Sequence, residues 1–99
     1  MARSVRYHPE FDSDVLAAAR WYDERQADLG SDFVSRVRKA ASELIADPAR
    51  RTSMDYGVRY WPIERFPYVV FYDFTDNEIV VLGVMHTSQD PEKWRARGG

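Results

Sequence analysis

Few side chains in this sequence can carry acid–base or nucleophilic chemistry. The 99 residues contain no cysteine and two histidines, His8 and His86. The lack of cysteine excludes thiol catalysis, disulfides and thiolate metal ligands, and the two histidines do not have the spacing of a helical metal site. The sequence also has no glycine-rich phosphate loop and no Gly-x-Ser-x-Gly segment. We therefore expect neither a metal nor a cofactor.

The remaining candidates are one histidine and several arginines, which make up most of the 14 basic residues. His86 follows an apolar run and could act as a general acid or base, or it could form only local hydrogen bonds. Arg59 and Arg65 flank the hairpin that is predicted to lead into an apolar strand at residues 66–74, and each could bind a carboxylate of a partner through two hydrogen bonds. They could instead form surface pairs with Asp55 or Glu64, which would contribute little energy.

The charge balance constrains the partners of the chain. Its 14 Lys and Arg against 16 Asp and Glu give a formal net charge of −2. This argues against binding nucleic acid by general electrostatic attraction, although a local basic patch is possible. No apolar run approaches the ~20 residues of a membrane span, and the first residues are too polar for a signal peptide. With 44% hydrophobic residues, the chain is expected to fold as one domain, residues 1–99, in the cytoplasm.

The first half of the chain predicts one strand and two helices. Val5 and Tyr7 alternate with polar residues in a strand of about six residues. A helix follows and is expected to end at Gly30, and a second helix is expected to run from an N-cap at Ser31 to the residue before Pro48. Because the link between the helices is so short, they must fold back as an antiparallel hairpin.

The second half predicts an antiparallel meander of three strands, at residues 58–61, 66–74 and 79–86. Alternation places five residues of the second strand on one face: Phe66, Tyr68, Val70, Tyr72 and Phe74. In the third strand, alternation predicts that two groups of residues face opposite sides of the sheet: Ile79, Val81 and Met85 on one side, and Val80, Leu82 and Val84 on the other. Strands that are apolar on both faces need cover on both. We expect the helix hairpin on one face, and the C-terminal segment, a partner or a second copy on the other.

The C-terminal segment predicts a short helix over residues 91–96, because an Asp-Pro pair provides an N-cap and a first-turn proline. Trp94 would then cover the open face of the sheet and could pack on the ring of His86. Arg95 and Arg97 follow, either as contact residues or as solubilising charge.

Several short motifs extend over nearly the whole chain, from about Val5 to Arg97. They are Trp21-Tyr22, Leu29-Gly30-x-x-Phe33, Pro48, Gly57-Val-Arg59, Phe66-Pro67-Tyr68-x-x-x-Tyr72 and His86-x4-Pro91-x2-Trp94-x2-Arg97. With the order of strand, helix, helix and meander, they resemble the RelE/ParE superfamily of bacterial toxins, and the ParE-like branch most closely. The resemblance implies an α+β fold in which the helix hairpin packs on an antiparallel sheet, with the first strand beside the last. It also implies a toxin encoded next to an antitoxin that silences it.

The two branches imply different activities. ParE-like members poison DNA gyrase, whereas RelE-like members cleave mRNA on the ribosome. Such cleavage relies on several basic residues around the scissile phosphate, where negative charge accumulates in the transition state. This sequence departs from that pattern, because Val69 and Val70 follow Tyr68 where a basic residue is expected. Residues 87–89 are Thr, Ser and Gln, where nucleases of the family carry lysine or arginine.

We therefore predict a ParE-like toxin that binds gyrase, is neutralised by a cognate antitoxin, and binds neither membranes nor, stably, nucleic acid. It could form a homodimer or a hetero-oligomer with the antitoxin. The alternatives are a RelE-like ribonuclease and a non-toxic binding protein that keeps the fold. If the chain is a nuclease, its catalytic candidates are Arg59, Arg65, His86 and Arg97. The residues expected to contact the target or antitoxin are Arg59, Arg65, Tyr68, Trp94, Arg95 and Arg97.

The antitoxin contact has a structural expectation of its own. A segment of the antitoxin that is disordered when free could fold across an apolar groove of the toxin and extend the edge of its sheet.

Overall fold

The computed structural model describes residues 3–51, 58–89 and 97. Its elements are β1 (Ser4–Tyr7), α1 (Phe11–Asp23), α2 (Leu29–Ala46), a 3₁₀ turn (Pro48–Arg50), β2 (Arg59–Pro62), β3 (Tyr68–Phe74) and β4 (Glu78–His86). The sheet has the order β1-β4-β3-β2, with β2, β3 and β4 antiparallel and β1 parallel to β4. The predicted α+β fold is confirmed, with the first strand beside the last. The predicted helix over residues 91–96 lies outside the described residues.

The helix hairpin is present, but its turn begins earlier than predicted. α1 ends at Asp23, because the N–H groups of Arg25 and Gln26 both bond the carbonyl of Tyr22 at 3.0 Å and the chain turns away. Asp28 completes the turn with a φ of 69°, a left-handed conformation that aspartate adopts more readily than most residues. Neither described helix is long and apolar enough to cross a membrane.

Gly30 and Ser31 do not separate the helices as predicted, because α2 already begins at Leu29. The Ser31 hydroxyl donates to a backbone carbonyl of the turn instead of capping the helix. The N–H of Gly30 donates to the Asp23 carboxylate at 2.7 Å. A Cβ at Gly30 would collide with the Ala19 carbonyl oxygen and lie 2.6 Å from the Asp23 carboxylate. Glycine is therefore needed here for the close approach of the two helices, not for ending the first one.

The sheet face that meets the helices carries the main core. Val70 and Tyr72 of β3 and Ile79 and Val81 of β4 are at most 1% exposed and pack against the helices. The Tyr72 hydroxyl donates to the Pro48 carbonyl at 2.7 Å, so the polar atom of this buried ring has a partner. Burial raises the pKa of Tyr72 above its ordinary value of 10.0.

A β-bulge in β4 changes which residues face the helices. Leu82 and Gly83 together stand opposite Phe71 of β3, which is the two-against-one arrangement of a bulge. Beyond it, Val84 joins the core under the helices and Met85 lies on the other side. The predicted faces of Val84 and Met85 are therefore wrong, because the prediction continues strict alternation past the bulge.

The opposite face of the sheet, which we call the far face, is buried within the single chain. Its cluster consists of Val58, Phe71, Leu82 and Met85, each at most 4% exposed. The Arg97 guanidinium lies 5.7 Å from the centre of the Phe71 ring, so the C-terminal end supplies part of the cover. Of the three predicted covers, a partner and a second copy are not required.

Three strands differ in length from the prediction, and a proline accounts for the difference in β3. β3 begins at Tyr68 rather than residue 66, because Pro67 has no N–H to donate to the ladder. The Pro67 carbonyl instead accepts the N–H of Thr87 at 2.9 Å. β2 extends to Pro62, one residue beyond its predicted end, and β1 is four residues long rather than about six.

Gly30→Ala is expected to lower the free energy of unfolding by about 1–3 kcal/mol, because the added methyl group would force the helices apart. Urea denaturation followed by circular dichroism measures the change. Ser31→Ala, an exposed substitution in the same turn, is the control and should alter stability by no more than about 0.5 kcal/mol. Equal stability of the two variants would show that the helices have room for a side chain at this position.

Candidate functional site

Three of the predicted site residues lie at the end of the sheet where β3 begins and β4 ends. Tyr68 stands opposite His86 in the strand register. Their ring centres are 5.1 Å apart, with an interplanar angle of 79°. Arg65 lies in the turn that leads into β3, with a φ of 72°. Tyr68, His86 and Arg65 therefore share one end of the molecule.

The other predicted residues lie elsewhere. Arg59 stands opposite Tyr72, roughly 13 Å along β3 from the first group at about 3.3 Å per residue. Arg97 lies against the bulge of β4. Trp94 and Arg95 lie outside the described residues. The strand register thus does not gather the four nuclease candidates around one phosphate.

Aromatic rings support the end of the sheet that carries Tyr68. Its ring centre is 5.0 Å from that of Phe33, and Tyr22 lies 4.8 Å from Phe66 in an edge-to-face arrangement. Burial raises the pKa of Tyr68, and burial followed by the neighbouring Tyr68 raises the pKa of Tyr22. Both hydroxyls therefore remain protonated at neutral pH and can serve in hydrogen bonding but not as general bases.

His86 is held by the residues that follow it. Its Nδ1 accepts the backbone N–H of Ser88 at 3.0 Å and lies 2.7 Å from the Ser88 hydroxyl. The backbone N–H of His86 donates to the side-chain oxygen of Gln89 at 2.9 Å. Because a backbone N–H can only donate, Nδ1 is the acceptor and the neutral ring carries its proton on Nε2. The local hydrogen bonding predicted as the alternative to catalysis is present, and Nε2 is the nitrogen left for proton transfer.

Arg65 is exposed and forms no ion pair with another described residue. The expected partner, Glu64, instead binds Lys39 at 2.6 Å and Arg36 at 3.1 Å. The hydrogen bond from Lys39 is the main cause that lowers the pKa of the Glu64 carboxyl. Arg65 lines a hollow of about 550 Å³ between the helix turn and the turn before β3. Its guanidinium group is therefore accessible to a partner.

Arg97 occupies a partly buried junction, and its side chain is 17% exposed. Two of its nitrogens bond the Asp14 carboxylate at 2.6 and 3.2 Å. Its Nη1 also donates to the Leu82 carbonyl at 3.1 Å, and its Nε lies 3.1 Å from the Glu10 carboxylate. The hydrogen bond with Asp14 is the main cause that raises the pKa of Arg97. The prediction that Arg97 provides solubilising charge is therefore wrong.

The same junction supplies hydrogen-bond partners to the part of the β4 edge that β1 does not cover. Asp14 accepts the N–H of Val84 at 3.2 Å, while Arg97 donates to Leu82. Gly83 allows this approach, because a Cβ there would lie 2.5 Å from the Asp14 carboxylate oxygen. Junction and bulge therefore depend on each other.

A groove of about 810 Å³ lies between α1, α2 and the end of β1. We call it the hairpin groove. Its apolar rim includes Tyr7, 45% exposed, and Leu16, 53% exposed. The adjoining edge of β1 pairs with no other described strand: the N–H groups of Ser4 and His8 donate to the carbonyls of Asn77 and Val81, so those of Val5 and Tyr7 point outward. An apolar groove beside an open strand edge suits a segment that adds both a strand and apolar side chains.

The carboxylates that bind Arg97 at the junction and the residues of the hairpin groove were not among the predicted site residues. Asp14 lies in the first turn of α1, where a carboxylate is expected for the helix dipole alone. Nothing in its separation from Arg97 indicates an ion pair. Gly83 inside an apolar strand was the available signal for the bulge, and Leu16 is an apolar residue beside the main helical face. Within the described ranges, no group of three or more His, Asp or Glu side chains is placed to hold a metal ion.

Comparisons with known proteins extend these observations. A family model described as the ParE toxin of the type II toxin–antitoxin system, parDE, matches residues 5–91. The structure of a chromosomal ParDE toxin–antitoxin system from P. aeruginosa is similar, with a TM-score of 0.75 and 19% identity over 85% of this chain and 95% of that chain. The structure of YafQ from E. coli strain BL21(DE3) gives a TM-score of 0.57 and 18% identity over 87% of this chain and 94% of that chain. Comparison with curated protein sequences gave no match.

Arg97→Ala is expected to lower the free energy of unfolding by about 2–4 kcal/mol, because it leaves the partly buried Asp14 carboxylate without its cation and the Leu82 carbonyl without a donor. Urea denaturation of the purified protein measures the loss. Arg6→Ala removes an arginine from an exposed pair with Glu78 and should cost no more than about 1 kcal/mol. Similar small losses in both variants would contradict a special contribution of the junction.

Proposed function

Since this chain belongs to the ParE toxin family of type II toxin–antitoxin systems, we propose that it inhibits growth by binding DNA gyrase and is neutralised by a cognate antitoxin. The family match across residues 5–91 is the observation that carries the proposal. The fold shared with the ParDE structure from P. aeruginosa supports it. In this proposal residues 1–99 form a single toxin domain that acts in the cytoplasm.

The geometry of the predicted site supports action by binding rather than by cleavage. Phosphoryl transfer needs several positive charges aimed at one phosphate. Arg97 already binds two carboxylates, and Arg59 lies toward the other end of β3. Only Arg65 and His86 remain at a common end, and the residues after His86 fold back onto its ring. One accessible arginine and one histidine fit a contact surface better than a nuclease centre.

Arg65 and Tyr68 are the proposed centre of the target contact. Arg65 is exposed in a turn, and Tyr68 is half-buried beside it with a hydroxyl that stays protonated. Aromatic residues and arginine are the side chains that most often dominate binding energy at protein interfaces. The rigid aromatic cluster below would hold both residues in place.

The hairpin groove and the open edge of β1 are the proposed antitoxin surface. The groove exposes Leu16 and Tyr7, and the outward N–H groups of Val5 and Tyr7 can donate hydrogen bonds to a further strand. An antitoxin segment that orders on this surface would bury apolar area and pair its backbone in one step. This surface is on the helical side of the molecule, so the antitoxin need not cover Arg65 to bind.

The target is tested by adding the purified protein to a gyrase supercoiling assay and to a ribosome-dependent mRNA cleavage assay. We expect inhibition of supercoiling and no mRNA cleavage. Arg65→Ala should keep the native circular dichroism spectrum and weaken inhibition roughly tenfold, as expected for a binding hot spot. Arg20→Ala, on an exposed face of α1, is the control. Cleavage of mRNA would instead support the RelE-like alternative, and inactivity in both assays without growth arrest would support a non-toxic binding protein.

The antitoxin surface is tested with Leu16→Glu, which puts a charge into the hairpin groove. Binding to the product of the neighbouring antitoxin gene should weaken by roughly tenfold or more, because a carboxylate would have to be desolvated in the interface. Calorimetric titration measures the affinity, and growth arrest on expression of the variant alone should persist. Trp21→Glu is the matched control, since Trp21 is 48% exposed on the same helix but outside the groove. Equal affinities for both variants would place the antitoxin elsewhere.

A further inference from the structure

Four arginines from separate parts of the sequence gather on one surface, which we call the arginine strip: Arg3, Arg50, Arg51 and Arg59. The guanidinium carbons of the first and last lie 5.1 and 4.9 Å from the centre of the Phe74 ring. Those of the middle two lie 5.9 and 4.9 Å from the centre of the Trp61 ring. Arg59 also donates to the carbonyl of Arg51, which connects the two pairs.

The arginine strip brings four guanidinium groups together with few carboxylates among the described residues. Arg3, Arg51 and Arg59 form no ion pair with another described residue. Arg50 approaches Asp47 only at 4.0 Å, and both side chains are more than 60% exposed. The junction arginine, in contrast, lies within 3.1 Å of two carboxylates. A chain with a net charge of −2 therefore carries a local surface on which three arginines have no carboxylate partner within the described ranges.

Backbone carbonyls and aromatic rings position the arginines of the strip. The Nε of Arg3 donates to the Thr75 carbonyl at 2.7 Å, and Arg59 is held by the Arg51 carbonyl. The Trp61 ring beneath the middle pair is 2% exposed and is part of the core. A guanidinium group that lies over a ring keeps N–H groups available for an anion. Arginines that share a ring are close enough to repel one another. A bound anion would relieve this repulsion, so the cluster is suited to bind one.

We propose that the arginine strip binds the phosphodiester backbone of a nucleic acid. Guanidinium groups bind phosphate oxygens through paired N–H donors, and nucleic-acid interfaces are polar and positively charged. A protein partner fits less well, because the buried centre of a protein interface is usually more apolar than a cluster of four arginines. The strip's rings lie beneath the arginines, and the large apolar side chains that are exposed in the described part of the chain are others: Val5, Tyr7, Leu16 and Trp21.

Four phosphate contacts imply weak binding that depends strongly on salt. The logarithm of the affinity for duplex DNA should fall with the logarithm of salt concentration with a slope of about −3.6, since each neutralised phosphate contributes about −0.9. The net negative charge of the chain does not prevent this, because charges beyond the ~8 Å Debye length are screened at physiological salt. The inference does not rest on the proposed target, since neither the hairpin groove nor Arg65 belongs to the strip.

The test is fluorescence anisotropy of the purified full chain with a short labelled duplex DNA and, separately, a single-stranded RNA of equal length. Titrations from low to physiological salt should give slopes of about −3.6 for the duplex and about −2.8 for the single strand. Arg51→Gln with Arg59→Gln should reduce the size of the duplex slope by about 1.8. Arg3→Gln with Arg50→Gln should reduce it equally, which keeps the test open if the first variant fails to fold. Arg51→Lys with Arg59→Lys retains the charge and should retain the slope.

The matched control is Arg20→Gln with Arg38→Gln, which changes the net charge equally on exposed faces of the two helices. This variant should leave the slope unchanged. No binding at low salt, or equal slopes for the strip and control variants, would overturn the proposal. A glutamate-rich peptide that binds the wild type as tightly as the DNA, and loses affinity in the same strip variants, would overturn it in favour of an acidic protein partner.

Discussion

β4 is buried on both faces, but one of its edges has a neighbouring strand for only part of its length. The rest of the structure depends on how the backbone groups of that edge find hydrogen-bond partners. β1 pairs with β4 only as far as Val81. Beyond that point a buried N–H or carbonyl without a partner would cost free energy. The Asp14 carboxylate accepts the N–H of Val84, and the Arg97 guanidinium donates to the carbonyl of Leu82. One ion pair thereby fixes the bulge, the start of α1 and the C-terminal end of the described chain.

Three of the environments that arginine has in the described residues differ in what they imply for structure and for function. At the junction it is paired and partly buried, so its charge is used within the fold. In the turn before β3 it is exposed above a rigid aromatic cluster, which suits contact with a target. In the arginine strip it lies over rings without a carboxylate partner, which suits an anion. Residue type alone does not distinguish these environments, because the difference lies in what each guanidinium group touches.

Sequence periodicity was sufficient for most of the fold. Alternation and helical spacing predicted the order of elements, the helix hairpin and the meander, because each depends on burial of a local face. The errors occurred where tertiary contacts override local pattern. The helix turn is displaced because Gly30 allows α2 to approach Ala19, and the faces of Val84 and Met85 exchange because the bulge adds a residue. Neither the close approach nor the bulge partner can be read from neighbours in the sequence.

The site was less predictable than the fold. Local hydrogen bonding at His86 was among the expectations because Ser88 and Gln89 directly follow it. The junction joins residues at opposite ends of the sequence, and the arginine strip combines three separate segments, of which the sequence displays only the adjacent pair Arg50 and Arg51 as a signal. Long-range electrostatic contacts of this kind have no periodicity that could reveal them.

The pairing of β1 with β4 also constrains how the protein is made. During synthesis β1 leaves the ribosome before both helices and two further strands, and the strand that receives its hydrogen bonds follows only after them. Contacts between such distant segments form late in folding. The sheet therefore cannot be completed before β4 has left the ribosome, and until then the backbone groups and side chains of β1 lack their native strand partner.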